Sequence, residues 1–183
     1  MELLKPDTFI PLARPFASER EIEAVIAVLK SGWWSTGPGV QKFEEEVCEY
    51  LGGEGLKAVG LSSCTAGLFL SLKALGIGPG DEVLLPTLTF AATSHVVEWC
   101  GATPVLCDID PATLNISVAS LQDRISSRTK AVMPVHVAGY PCEMGPILDF
   151  SRSNGLGLIE DAAHAIGTEY AGKKIGRHGD SVV

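Results

Sequence analysis

The acidic pair that ends an apolar segment in the C-terminal part of the sequence is the first candidate for chemistry. Glu160 and Asp161 directly follow the run LGLI, and His164 comes three residues later. A carboxylate buried at the end of a strand loses several kcal/mol of hydration unless a cation compensates it. Asp161 therefore predicts a positively charged ligand, which His164 could also reach. A surface acidic pair beside a capping histidine is the structural alternative.

A phosphate is the second ligand that the sequence suggests, at the segment SSCTAG over residues 62–67. This segment joins two apolar runs in a pattern that predicts the N-terminus of a helix. The amides of Thr65 and Ala66 and the hydroxyls of Ser63 and Thr65 would favour an anion there. An ordinary hydroxyl N-cap explains the same residues. The glycine spacing of a dinucleotide site and the lysine of a P-loop are both missing.

Aromatic residues at two turns could hold flat or sugar-like groups. Phe90 lies at a strand-to-helix turn in PTLTFAAT and could present its ring to an aromatic cofactor. Trp34 and Ser35 lie in the turn GWWSTGPG, whose composition suits stacking on a sugar or nucleotide and hydrogen bonding to it. For all three residues, packing within the domain is the alternative.

The elements that must position these residues alternate along the chain. Helical patterns separate the apolar segments that predict strands. The predicted strands are 57–62, 82–86, 104–109, 130–135 and 156–160. The predicted helices lie near 65–76, 90–100, 118–127 and 142–154. This α/β alternation requires right-handed crossovers and a mostly parallel sheet with helices on both faces. Ligands bind such a sheet beyond the carboxyl ends of its strands, so we expect the candidate residues to meet at that edge.

The segment before this alternation has a different character. Residues 1–15 contain three prolines and predict an extended arm that lies on a neighbour. A capping box formed by Ser18 and Glu21 predicts an amphipathic helix that ends at Gly32, and a second helix ends at Gly52.

The last residues predict a short hairpin over 166–177 and the beginning of another strand at 181–183. A strand that starts there would leave a sheet edge and a hydrophobic face uncovered. We therefore expect the chain to be one part of a larger protein.

Composition excludes several classes of protein. The 183 residues are 46% hydrophobic and 20% charged, which is enough for one globular domain with a sizeable core. The formal charge of −8 would repel nucleic acid and anionic membranes, and no apolar run is long enough to span a bilayer. We expect a cytoplasmic protein with neither partner. The five cysteines form no Cys-x-x-Cys pair, so neither a disulfide framework nor a metal site is predicted.

The order of these motifs resembles a known family almost from end to end. The chain resembles the first half of a DegT/StrS-type sugar aminotransferase, a pyridoxal-phosphate enzyme with the aspartate aminotransferase fold (fold type I). The resemblance is carried by RPFASEREIEAVIAVLKSGWWSTGPGVQKFEEEVCEYLG, SSCTAGLFLSLKALGIGPGDEVLLPTLTFAATSHVVEWCGATPVLCDID, KAVMPVHVAGYPCEM and LIEDAAHAIGTEYAGKKIGRHGD. It implies that residues 1–183 are the N-terminal part of the cofactor-binding large domain, with 1–53 as an arm and two helices and 54–183 as the α/β core.

The resemblance also implies a role for each candidate residue, with pyridoxal 5′-phosphate as the cofactor. The phosphate ligands would be Thr65 and Ala66 with the nearby hydroxyl of Ser63, and Phe90 would stack on the pyridine ring. Asp161 would face the protonated ring nitrogen, and His164 would contact the phenolic oxygen of the cofactor. Trp34 and Ser35 would approach the sugar. Cys64 departs from the family, because many relatives have glycine there.

The catalytic lysine of the family lies in a segment resembling FSFxxxK, which would follow the strand that starts at 181 and so lie beyond Val183. None of the eight lysines present lies in such a segment. We therefore expect the 183 residues alone to be inactive. The complete protein would be a homodimer that acts in polysaccharide biosynthesis, where it would transfer an amino group from glutamate or a similar donor to a keto group of a nucleotide-linked sugar, such as a UDP-linked 4-keto sugar.

Two alternatives remain open at this point. A sugar dehydratase of the same family would carry histidine in place of the catalytic lysine, and the deciding segment is not in this sequence. A non-catalytic domain that binds a nucleotide or an anion on the same parallel sheet would also explain the motifs.

Overall fold

A five-stranded parallel sheet forms the centre of the fold in the computed structural model, which describes residues 14–53 and 55–183. Its strands lie in the order β2-β1-β3-β4-β7, and every neighbouring pair is parallel. The strands are β1 (Glu82–Pro86), β2 (Thr103–Cys107), β3 (Thr129–Val132), β4 (Gly157–Glu160) and β7 (Ser181–Val182). Two further short strands, β5 (Glu169–Tyr170) and β6 (Lys173–Lys174), pair antiparallel as a hairpin.

Six α-helices are found in the described ranges. They are α1 (Glu19–Ser31), α2 (Pro38–Tyr50), α3 (Cys64–Ala74), α4 (Ala91–Trp99), α5 (Val118–Arg124) and α6 (Met144–Asn154). No helix in the described part of the chain combines the length and the apolar character that a membrane crossing requires.

Two hydrophobic clusters, one on each face of the sheet, hold these elements together. Helices α3 and α4 cover one face, where Leu72 and Val97 pack with Val83 of β1. Helices α5 and α6 cover the other face, where Ile147 packs in the same cluster as Leu84 of β1. Successive residues of β1 thus enter opposite clusters, as the alternation of side chains along a strand requires. All five residues of β1 are buried, which confirms the predicted parallel sheet with helices on both faces.

The predicted strand at 57–62 is wrong. The structure assigns no strand there, and the segment forms no ladder with any strand of the described residues. The backbone N–H of Gly60 instead donates to the Glu44 carboxylate at 2.7 Å. An apolar segment becomes a strand only where a neighbouring strand supplies hydrogen-bond partners, and periodicity carries no information about that neighbour.

The other predicted helices and strands are confirmed, with small shifts at their ends. The strand predicted over 82–86 coincides with β1, and the predicted hairpin over 166–177 contains β5 and β6. The capping box is present, since the Glu21 carboxylate accepts the N–H of Ser18 at 2.6 Å. Gly32, at φ 71°, ends α1 in the left-handed conformation that favours glycine.

Helices α1 and α2 contain no buried residue. The apolar stripe of α1 is formed by Ile22, Val25, Ile26 and Leu29, each between 42% and 59% exposed. The predicted arm lies in residues 1–15, most of which fall outside the described residues.

Candidate active site

Asp161 is a buried carboxylate at the carboxyl end of β4, with 6% of its surface exposed. One carboxylate oxygen, Oδ2, accepts the hydroxyl hydrogen of Thr93 at 2.9 Å. The other, Oδ1, accepts the thiol of Cys64 at 3.7 Å and the backbone N–H of Ala163 at 3.4 Å. All three donors are neutral groups, and no residue in the described ranges forms an ion pair with Asp161.

These contacts bring Asp161 to the N-termini of two helices. Cys64 is the first residue of α3 and precedes Thr65. Thr93 lies in the first turn of α4, and its backbone N–H donates to the carbonyl oxygen of Phe90 at 3.1 Å. The residues proposed for the phosphate, the ring and the ring nitrogen therefore lie around one point at the carboxyl edge of the sheet. This edge is where an open parallel sheet binds its ligands.

The N-terminus of α3 differs in one respect from the sequence expectation. The amide of Ala66 is not free, because it donates to the side-chain oxygen of its N-cap, Ser63, at 3.2 Å. The amide of Thr65 donates to no acceptor among the described residues. Ser63 is exposed and Thr65 is half-buried, so the hydroxyls and the remaining amide can be reached by an anion.

Phe90 is not a core residue. It is the N-cap of α4, and 79% of its surface is exposed. A large apolar ring that stays in solvent at the mouth of a site offers a flat face to a ligand, whereas packing within the domain would have buried it.

The carboxylate also determines the chemistry of its sulfur neighbour. Burial raises the pKa of Cys64 to about 11, and the charge of Asp161 and the hydrogen bond to it act in the same direction. Cys64 is therefore a protonated thiol at neutral pH, which agrees with its role as a donor to Asp161.

His164, Trp34 and Ser35 are exposed and are not tied to the Asp161 cluster by hydrogen bonds. The loop of His164 packs closely, since a Cβ atom at Gly139 would lie 2.9 Å from the His164 carbonyl oxygen. Trp34 is 75% exposed, and its indole N–H donates to the Leu29 carbonyl oxygen at 3.2 Å. The turn at 32–39 is thus anchored to the end of α1.

Val183 contributes to packing and to backbone pairing, and its apolar side chain carries no catalytic group. The resemblance places the catalytic lysine beyond this residue. Its backbone N–H donates to the Glu160 carbonyl oxygen at 3.0 Å, and its own carbonyl oxygen accepts the N–H of Ala162 at 2.7 Å. Its half-buried side chain packs against the core cluster under α3, so close that a Cβ atom at Gly67 would lie 2.3 Å from Val183 Cγ1. Val183 therefore extends the pairing of β7 with β4 next to Asp161. The position of the lysine stays a prediction.

Sequence reasoning missed two features of this region. Thr93 was not among the candidate residues, although it is fully buried beside Asp161. The buried pair of Glu160 and His136 was also missed: His136 Nε2 lies 3.1 Å from Glu160 Oε2, and both residues are 0% exposed. The spacing of Thr89 and Thr93, one helical turn apart, was the only local signal for the first feature.

The chain is similar to proteins of one kind in three comparisons. The model of the DegT/DnrJ/EryC1/StrS aminotransferase family matches residues 15–183. The spore coat polysaccharide biosynthesis protein SpsC of Bacillus subtilis (strain 168) is 48% identical over 177 residues, which cover 97% of this chain and 45% of SpsC.

Solved structures are similar over almost the whole chain. The aminotransferase TlmJ from Streptoalloteichus hindustanus superposes with a TM-score of 0.86 at 40% identity, covering 94% of this chain and 47% of TlmJ. The PLP-form of Spr1654 from Streptococcus pneumoniae gives a TM-score of 0.87 at 33% identity, again over 94% of this chain and 47% of the other. The chain thus spans slightly less than half the length of these proteins.

Proposed function

The chain belongs to the DegT/DnrJ/EryC1/StrS aminotransferase family, and on this premise we propose that it forms part of an enzyme that aminates a nucleotide-linked sugar. The amino donor would be glutamate or a similar amino acid, and the cofactor pyridoxal 5′-phosphate. The family and the aspartate aminotransferase-like fold expected from the sequence are both confirmed. SpsC is named for polysaccharide biosynthesis, which supports a sugar as the acceptor.

The observation that carries the proposal is the buried Asp161 carboxylate, whose partners in the described residues are all neutral. A buried carboxylate is stabilised most by a cation, and the protonated pyridine nitrogen of the cofactor is one. Pyridoxal phosphate, when bound, supplies an electron sink that is deep only while this nitrogen is protonated. The Asp161 carboxylate, with only neutral partners around it, therefore fits the protonated ring of the cofactor.

Each remaining candidate residue has a proposed task that agrees with its position. Ser63 and Thr65 would hold the phosphate with the Thr65 amide, at the positive end of the α3 dipole. The exposed ring of Phe90 would stack on the pyridine ring and exclude water from that face. Ala66 would contribute to the phosphate site indirectly, because its amide donates to the Ser63 hydroxyl and so holds that side chain at the N-terminus of α3.

His164 would donate to or accept from the phenolic oxygen of the cofactor. Trp34 and Ser35 would contact the sugar, since their turn carries an exposed ring and a hydroxyl. None of these three residues forms a hydrogen bond with Asp161, so their tasks rest on the family resemblance together with their exposure.

We also propose that the chain is the N-terminal part of the large domain of a longer protein. Its span of 45% of SpsC supports this proposal. The lysine that binds the cofactor would then lie beyond Val183, and residues 1–183 by themselves would not transaminate. The exposed apolar stripe of α1 fits a homodimer or a further domain, and the five free cysteines fit a cytoplasmic location.

The experiment that tests the proposal uses the full-length protein with pyridoxal phosphate, glutamate and a UDP-linked 4-keto sugar. We expect one 2-oxoglutarate for each amino sugar formed, and a cofactor adduct on a lysine that borohydride makes permanent. A product that has lost a hydroxyl group, with no amine gained, would favour the dehydratase. Absence of any cofactor adduct together with absence of both products would contradict the proposal.

A further inference from the structure

We propose that Thr93 is a positioning residue for this reaction: its hydroxyl orients the Asp161 carboxylate toward the ring nitrogen of the cofactor and so keeps that nitrogen protonated. The inference rests on the proposed function and extends it to Thr93 in the first turn of α4, 68 positions from Asp161 in the chain. Thr93 itself would contact neither substrate nor cofactor.

The direction of the hydrogen bonds follows from the chemistry of the groups. Thr93 Oγ1 lies 2.9 Å from Asp161 Oδ2 and 2.6 Å from Thr89 Oγ1. A hydroxyl has one hydrogen to donate, and an ionised carboxylate can only accept. Thr93 therefore donates to Asp161, and Thr89 donates to Thr93. The two hydroxyls form a directed chain that ends on one carboxylate oxygen.

Thr93 is the best-anchored partner of the carboxylate. It is 0% exposed, and the neighbouring Val96 and Val97 of α4 are buried in the core cluster that also contains Val83 of β1. Its branched β-carbon restricts the side chain to few rotamers. The hydroxyl oxygen is thus held by a helix that packs directly on the sheet.

The partners of the second oxygen are weaker. The Cys64 thiol lies 3.7 Å and the Ala163 amide 3.4 Å from Asp161 Oδ1, and a thiol is a weak donor. The rotation of the carboxylate about its last bond is therefore determined mainly by Thr93. A carboxylate free to rotate would spend less time in line with the ring nitrogen, and a charge-assisted hydrogen bond depends on that alignment.

The test replaces Thr93 in the full-length holoenzyme and measures the protonation of the ring nitrogen directly. Pyridoxal phosphate labelled with ¹⁵N in the ring is bound to each variant, and its ¹⁵N chemical shift is followed against pH. Thr93→Val keeps the shape but loses the hydroxyl, and Thr93→Ser keeps the hydroxyl. Thr129→Val is the matched control, because Thr129 is also buried and hydrogen-bonded but lies at the amino end of β3.

We expect Thr93→Val to lower the pH midpoint of ring deprotonation by roughly one unit, the effect of one hydrogen bond to a charged group. The kcat should fall about tenfold with the KM for the sugar unchanged, since the interaction acts on the reacting state. Thr93→Ser should restore both values, and Thr129→Val should change neither. Thr89→Val should give a smaller shift in the same direction, which keeps the test available if Thr93→Val does not fold.

A wild-type midpoint in Thr93→Val, or in Thr89→Val where Thr93→Val does not fold, would overturn the positioning role while leaving the proposed function intact. A wild-type protein that binds no pyridoxal phosphate, or binds it with an unprotonated ring nitrogen, would overturn the proposed function and this inference with it.

Discussion

Glu160 and Asp161 are adjacent carboxylates at one strand end, yet their surroundings differ. Glu160 is 0% exposed and meets two donors from the interior, the His136 ring and the backbone N–H of Gly179. Since His136 Nδ1 accepts the N–H of Cys142 at 3.0 Å, its hydrogen is on Nε2 and points at Glu160. Asp161 lies instead at the boundary of the core, beside the exposed Phe90 turn.

The difference shows how one strand end can serve two purposes. The protein closes the surroundings of Glu160 completely, so this carboxylate joins β4 to the loops that carry His136 and Gly179. Asp161, by contrast, keeps 6% of its surface exposed, at the edge of the sheet where ligands bind. Two acidic residues in sequence thus divide into a structural group and a group available to a ligand.

The largest effect that separates the two carboxylates should be on catalysis. Asp161→Ala in the full-length protein should reduce the transamination rate by a factor on the order of 100 to 1000, because the ring nitrogen loses the charge that keeps it protonated. The measurement is steady-state amino sugar formation, with Thr129→Val as a folded control. Transamination that survives Asp161→Ala unharmed would refute the assignment of Asp161.

The second effect should be on stability, and here replacing Glu160 should cost more than replacing Asp161. Glu160→Ala leaves the buried His136 Nε2–H and the half-buried Gly179 N–H without their acceptor. This loss should lower the free energy of unfolding by about 3 kcal/mol. Asp161→Ala should cost clearly less, since only one of its three donors, Thr93, is fully buried, whereas Cys64 is half-buried and Ala163 is exposed. Urea denaturation of both variants measures the difference, and equal losses would remove the distinction.

Residues close together in sequence were the predictable part of this structure. The run EVLLP lies between turn residues, so both bounds of β1 could be predicted. That Glu160 and Asp161 point to opposite sides could also be expected, because successive side chains alternate along a strand.

The remaining features depend on residues far apart in the chain. Asp161 and Thr93 are separated by 68 positions, and no local periodicity indicates that their side chains meet. Segment 57–62 has the composition of a strand but no ladder partner in the described chain. One difference is local: Ser63 accepts the amide of Ala66, which is the hydroxyl N-cap that the sequence left open as the alternative to an anion site.

The next effect concerns the thiol beside Asp161. Because burial and the Asp161 charge raise the pKa of Cys64 to about 11, only about one thiol in several hundred is ionised at pH 8.5. Iodoacetamide should therefore modify Cys64 slowly at pH 8.5 and faster as the pH approaches 11. Asp161→Asn should accelerate the reaction severalfold at pH 8.5, since the like charge is removed. Site-resolved mass spectrometry measures the rates, and an unchanged rate in Asp161→Asn would show that the two groups are not coupled.

The smallest effect should be a pH dependence of the stability that arises from His178, whose pKa is affected by the charge of Glu160. Burial lowers the pKa of His178 below its ordinary value of 6.5, an effect that the Glu160 charge opposes and His136 reinforces. The unfolded chain then binds a proton more readily than the folded one. This contribution to stability is present above pH 6.5 and is lost as the pH falls through the lowered folded pKa.

His178→Phe provides the control for this effect, because it keeps an aromatic ring against Tyr170 but cannot titrate. Urea denaturation at pH 7.5 and pH 5 should show a smaller loss of stability in the variant than in the wild type. An equal loss would mean that other groups account for the pH dependence.

A crystal structure of the full-length protein with bound pyridoxal phosphate tests the central claim most directly. The ring nitrogen should lie within a charge-assisted hydrogen bond of Asp161, about 2.8 Å, with the phosphate at the N-terminus of α3 and the ring against Phe90. A cofactor whose ring nitrogen points away from Asp161, or whose phosphate lies at another helix, would contradict the account.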